Sequence, residues 1–250
     1  IYGVVRDQVG ATLAVEGATI SLLRDSVEIG RAPIAAIVQS DGNYELTMSI
    51  DQSRPASRIY SHRALPSQGV FSLVVEMNGQ KFYPIEVSGT LRAGNGGERV
   101  RLDLNLGADA NHDGLPDAWQ EWQLYQAGYR PGANGWDLSP VPPSGDLDGD
   151  GISNYDEYIA GTFAGDATER FELKITGKTT AAVVFEFFAI TGKQYAIEES
   201  ADLQTWTVVA FAATAGGPTA KSFQGQQVEI RPAYVALPTG TARFYRLSVQ

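Results

Sequence analysis

The run Asp146-Leu147-Asp148-Gly149-Asp150-Gly151-Ile152-Ser153-Asn154-Tyr155-Asp156-Glu157 places oxygen-bearing side chains at positions 1, 3, 5, 9 and 12 of a twelve-residue loop. That spacing suits a hard cation, and calcium above all, which takes about 6–8 oxygen ligands at ~2.3–2.6 Å. Asp146, Asp148 and Asp150 can curl around the ion. Gly151 permits the sharp turn that presents the Ile152 carbonyl at position 7. Asn154 reaches the ion directly or through water. Glu157 closes the site with both oxygens from the first turn of a helix, which the sequence predicts over 154–160 with its stop at Gly161. A solvated acidic loop is the plainer alternative, but it would not need every ligand position filled or a glycine in register.

A second loop begins 37 residues upstream. Asp109, Asn111 and Asp113 hold positions 1, 3 and 5, Gly114 position 6, the Leu115 carbonyl position 7 and Asp117 position 9. Position 12 is Gln120 with Glu121 beside it, so closure falls to one or the other. Two calcium sites are therefore expected; the alternative for this loop is a metal-free helix entry rich in Asx turns. Pro116 should open a helix through Trp119, Trp122 and Leu124, ending near Gly128. The three-residue step between Trp119 and Trp122 puts both indoles on one face, for core packing or, alternatively, ligand stacking.

Charge agrees with this placement. From Asp109 to Glu157 there are ten acidic residues and one basic residue, Arg130, so this stretch supplies −9 of the net −10. Seven of the ten acidic groups fall on ligand positions of the two loops. Two calcium ions would bring the stretch to about −5, and the middle of the chain is expected to fold only when they are bound.

The elements that must hold these loops read as strands. Apolar runs recur at 2–5, 18–23, 44–48, 70–75, 82–87 and 100–106, then at 171–175, 181–190, 194–197, 206–211, 228–230 and 244–249. Gly10, Asp41-Gly42-Asn43 and Asn78-Gly79 are turn signals, the last reading as a hairpin. With 27 Gly and 12 Pro, the expectation is a mainly β protein: two β-sandwich domains joined by a calcium-binding segment with two short helices. The expected boundaries are 1–107, 108–165 and 166–250.

Composition excludes other classes. There is no basic patch for nucleic acid, and no apolar run approaches the ~18 residues of a membrane span. Cysteine is absent, so thiolate sites and disulfides are out. The two histidines, His62 and His112, lie in no catalytic frame, and Gly94-Asn95-Gly96-Gly97 lacks the Lys and Ser/Thr of a phosphate loop. No enzymatic activity is expected. No signal peptide is present and the chain opens in mid-pattern at Ile1-Tyr2-Gly3-Val4-Val5, so it reads as part of a larger polypeptide.

Three resemblances extend this reading. Gly3-Val4-Val5-Arg6-Asp7, Gly17-Ala18-Thr19-Ile20-Ser21-Leu22 and Ser40-Asp41-Gly42-Asn43-Tyr44-Glu45-Leu46 resemble carboxypeptidase-regulatory and Cna B-type domains, which are transthyretin-like β-sandwiches. Some Cna B-type domains carry a lysine–asparagine crosslink; no Lys precedes Lys81 here, and that bond is not expected. The twelve-residue loops are similar to EF-hand loops, and the pair resembles thrombospondin type 3 repeats and the paired calcium motifs of large exported bacterial proteins. In those proteins a terminal β-domain follows, with features like Tyr195-Ala196-Ile197-Glu198-Glu199-Ser200-Ala201-Asp202-Leu203-Gln204-Thr205-Trp206 and Phe244-Tyr245-Arg246. The resemblance implies an extracellular or cell-surface, calcium-stabilised spacer or scaffold, in which calcium fixes the arrangement of two sandwiches. A carbohydrate-binding or adhesive module, with a polysaccharide stacking on aromatics such as Trp136, Trp206 or Tyr245, is the alternative. A dockerin-like assembly module is the third reading; the long Gly- and Pro-rich stretch between the loops departs from the compact dockerin repeat.

Overall fold

The computed structural model of the chain describes residues 1–36, 42–53, 60–88, 91–237 and 243–249. Ser40 and Asp41 of the quoted N-terminal motifs, and Gln250, lie outside them. The chain is mainly β with two α-helices among the described residues. It divides into two compact units: residues 1–125 with 130–143, and residues 126–129 with 144–250.

In the first unit the main sheet runs, in spatial order, Leu91–Arg92, Val70–Met77, Thr19–Arg24 and Val27–Pro33, with Gln80–Phe82 also paired to Val70–Met77. Alternation explains the burial: Ile20 and Leu22 point into the core opposite Val75 and Leu73, all four fully buried. The Asn78-Gly79 hairpin is present. Met77 pairs Gln80 across it, and both turn residues have positive φ (51° and 75°), the backbone of a two-residue turn whose twist matches the strands. The apolar run 82–87 is not one strand: Pro84 has no N–H to give a ladder, and a 3₁₀ turn, Ile85–Ser88, follows it.

Val5–Arg6 pairs in parallel with Leu104–Asn105. Arg6, on the first of these strands, is 1% exposed, and its Nη2 stands 3.4 Å from Asp103 Oδ2. The adjoining Asn105 donates its backbone N–H to Glu86 Oε2 at 3.0 Å and its Nδ2 to Oε1 at 2.8 Å. Burial raises the Glu86 carboxyl above its ordinary range, against the pull of those Asn105 bonds and Arg6. The folded state therefore keeps this proton to higher pH than the unfolded chain does. Its stabilising contribution is whole below the ordinary carboxylate value and is lost as pH rises through the raised one. Glu86→Gln should flatten that slope, at a pH-independent cost of about 1 kcal/mol for the acceptor it gives up. Denaturant unfolding from about pH 4 to about pH 8 reads this; a slope equal to that of the parent chain would show that Glu86 does not carry it.

The second unit has a sheet ordered Lys174–Lys178, Ala182–Ala189, Glu229–Ala236, Phe211–Ala212 and Thr219–Ala220. In another sheet Gln194–Ser200 pairs with Thr207–Val209, Phe223–Gln224 and Phe244–Val249. Phe187 centres the core, with Tyr195, Phe211 and Phe223 ring centroids 5.1, 6.4 and 6.3 Å away.

Candidate metal centre

In the second unit the loop before helix α2 (Asn154–Ala160) is wound by its own side chains. Asp146 Oδ1 accepts from the Gly149 N–H at 2.8 Å and Oδ2 from Gly151 at 2.9 Å. Asp148 Oδ1 accepts from Asp150 N–H, Asp150 Oδ1 from Ile152 N–H and Asn154 Oδ1 from Leu147 N–H. Gly151 sits at φ 95°, a conformation that a side chain at this position would strain. Ser153 caps α2, its Oγ accepting from Asp156 N–H, and Gly161 ends it at φ 82°.

This winding brings carboxylate oxygens of Asp146, Asp148 and Asp150 within 4.8 Å of one another, a group that could hold a metal ion. Glu157, 0% exposed, is not one of that group but is near enough to feel the charges of Asp148 and Asp150. Burial pushes its carboxyl up to about 8, helped by the charges of Asp148 and Asp150. Asp148 is raised too, by burial first and then by Asp150 and Asp146. Asp146, the exposed member, is lowered by the N–H of Gly151. Arg170 Nε lies 3.6 Å from Asp150 Oδ2. Even so, Asp148 Oδ2, Asp150 Oδ2 and Glu157 Oε2 are buried with no hydrogen bond. Buried carboxylate oxygens left this way are costly, and those of Asp148 and Asp150 belong to the group that could hold a metal ion. An all-oxygen set fits a hard divalent ion rather than a soft one.

The first loop lies in the other unit, before helix α1 (Asp117–Gln126). Asp109 accepts from Asp113 and Gly114 N–H, Asn111 Oδ1 from Asp113, Asp113 Oδ1 from Leu115, and Asp117 from Ala110. Among the described residues its carboxylates do not converge as the Asp146, Asp148 and Asp150 group does. Trp119 is 3% exposed while Trp122 is 52% exposed and stacks on Tyr125, so the two indoles part company. His112 and His62 are exposed.

Three residues outside the ligand pattern support the second loop. Arg170 offers the ion pair already named. Thr162 Oγ1 donates to Glu157 Oε1 at 3.4 Å. Lys193, 3% exposed, donates from Nζ to the Ile159 carbonyl at 2.7 Å, at the C-terminal end of α2. Only Thr162, directly after the Gly161 stop, had a local signal; the other two meet the loop through tertiary contacts. Comparison of the chain with protein-family models, curated proteins and solved structures found no match, so the site speaks through its own geometry.

Proposed function

We propose that the chain is a non-catalytic, calcium-stabilised spacer or scaffold region of a larger secreted or cell-surface protein, built of two sandwich-like β units with a calcium loop in each. The observation that carries this reading is the trio of buried, unbonded carboxylate oxygens on Asp148, Asp150 and Glu157. They sit at the third, fifth and twelfth positions of a loop whose ligand set would be Asp146, Asp148, Asp150, the Ile152 carbonyl, Asn154 and Glu157. Extracellular modules of this kind bind calcium at ~10⁻⁴–10⁻³ M, so the ion would be held where calcium is abundant. Calcium supplies charge neutralisation and coordination; the chain supplies a helix end and a sheet to which that coordination is fastened. Chelation is expected to lower the melting temperature and to enlarge the particle in small-angle scattering. Unchanged melting together with unchanged dimensions would sink the reading.

A carbohydrate-binding or adhesive role has its own support in the exposed Trp122–Tyr125 stack, with Arg130 over the Tyr125 ring at 4.6 Å. Two of the three aromatics first named for it serve differently: Tyr245 packs on Phe185 at 5.0 Å, and Arg246 covers Trp206. Titration with soluble polysaccharides against Trp122→Ala separates this role from the spacer.

A further inference from the structure

We propose that Arg170 is the built-in counter-ion of the 146–157 loop: it holds the Asp150 oxygen that calcium needs and gives way when the ion enters, and so sets how much calcium the loop requires. This rests on the calcium reading above and adds to it a residue that no loop pattern contains.

The site that Arg170 faces shows its need for a cation in more than its number of acids. Carboxylate oxygens of Asp146, Asp148 and Asp150 lie within 4.8 Å of one another. Asp148 Oδ2, Asp150 Oδ2 and Oε2 of the fully buried Glu157 have no hydrogen bond. In Asp150 the two oxygens divide their roles. Oδ1 accepts from the Ile152 N–H at 2.8 Å and helps to wind the loop. Oδ2 is left for a cation, and Arg170 Nε stands 3.6 Å from it. At that separation the guanidinium supplies charge and no hydrogen bond; its Nε–H is given instead to the Ala167 carbonyl at 3.2 Å. The Asp150 side chain is 1% exposed and that of Arg170 is 50% exposed. The acid is fixed inside the loop while the base lies half in water, so the base is the partner free to leave.

Local structure brings Arg170 to this place. After Gly161 ends α2, the chain folds back in a compact turn. Phe163 N–H bonds Glu169 Oε2 at 3.1 Å, Asp166 N–H bonds the Phe163 carbonyl at 3.0 Å, and Glu169 N–H bonds the Asp166 carbonyl at 2.9 Å. Asp166 Oδ1 accepts from both the N–H and the Oγ1 of Thr168. The turn sets the backbone of residue 170, and the long side chain supplies the reach and the freedom to withdraw.

A half-exposed ion pair is a weak hold, so calcium coordinated by several oxygens displaces it. The ion must still break that pair, and a positive charge remaining beside Asp150 repels it. Both effects weaken calcium binding, and both stabilise the empty loop. Removing the guanidinium should therefore move two observables in opposite directions: calcium affinity up, and stability without calcium down. A guanidinium that merely braced the loop would, on removal, lower both.

The test is calorimetric titration of the whole chain with calcium at about 0.15 M salt, where a Debye length of ~8 Å screens charges that do not touch the loop. Asp150→Ala identifies the step of the 146–157 loop as the one it removes. Arg170→Met keeps much of the stem and brings no oxygen that could itself ligate the ion. It should tighten that step about two- to fivefold and lower the melting temperature in chelator. Arg170→Lys restores a positive charge and should return both values toward those of the parent. In the parent chain the Arg170 Nε–H resonance, assigned by its absence from Arg170→Lys, should shift as the step fills; this reading decides even where Arg170→Met does not fold. Unmoved or weakened calcium binding in Arg170→Met, or an Nε–H resonance that stays fixed through saturation, overturns the proposal and leaves the calcium reading standing. A parent chain with no step that Asp150→Ala removes overturns the calcium reading itself, and the proposal with it.

Discussion

Glu157→Gln is expected to weaken the second loop's calcium affinity about ten- to hundredfold while making the calcium-free chain no less stable, and the change of sign is the informative part. Without the ion, Glu157 is a buried carboxyl crowded by Asp148 and Asp150, its pKa pushed up to about 8. Held mostly neutral at about pH 7 by that shift, the carboxyl is replaced by a neutral isosteric amide at little cost in charge or volume. With the ion, the same change removes a charge and one of two closing oxygens. At free calcium about 100 times the dissociation constant, binding contributes ~2.7 kcal/mol to the folded state, and a hundredfold loss of affinity removes most of it. For a unit of this size that is about 10 °C or more in melting temperature. Melting the parent and the variant at calcium about 100 times the parent's dissociation constant and again in chelator gives the four values needed. A variant destabilised equally in both conditions would mark Glu157 as a packing residue and not a ligand.

Lys193→Met carries the second large effect. Methionine keeps the buried stem but strips the ammonium from the carbonyls of Ile159 and Tyr158, at 2.7 and 3.5 Å. Those carbonyls belong to the last turn of α2, where no intrahelical partner exists and where a cation is favoured by the helix dipole. A loss of about 2–3 kcal/mol follows from orphaned acceptors plus the lost charge. The helix that Lys193 holds is the one that delivers Glu157, so calcium affinity should fall with stability. Unfolding and calcium titration of the one variant read both. Unaltered stability would show that those carbonyls find other partners without cost.

The loops were legible in the sequence because their information is local. Asp146 to Glu157 set their own turns through side chains bonding N–H groups two to five residues on, and Ser153 and Gly161 set both ends of α2. The same holds for the Asn78-Gly79 turn. The strand Val27–Pro33 was not visible, because it lies at the end of its sheet with mostly exposed side chains and is held by backbone pairing to Thr19–Arg24. Its turn is made by Asp25 and Ser26, both at positive φ with no glycine to announce them. Arg170 meets the loop, and Lys193 the end of α2, from positions further along the chain, and no spacing rule in a single chain connects them to it. Trp122 shows the limit of periodicity: a three-residue step places two side chains near one face, but only packing decides which of them is covered.

The parallel pairing of the first unit's opening and closing strands has a mechanical consequence. Tyr2 N–H bonds the Val100 carbonyl at 3.0 Å, and the N–H groups of Leu102, Leu104 and Leu106 bond the carbonyls of Tyr2, Val4 and Arg6 at 2.8, 2.8 and 2.9 Å. Tension applied through residues 1 and 106 would pull these two strands past each other along their length. The hydrogen bonds would then be loaded together, in shear, instead of parting one at a time as they do when a hairpin is peeled from its open end. Forced unfolding is governed by the rate of crossing the barrier, and a barrier that requires several bonds to fail at once is crossed slowly. The unit is thus fastened in the geometry that best resists being stretched end to end.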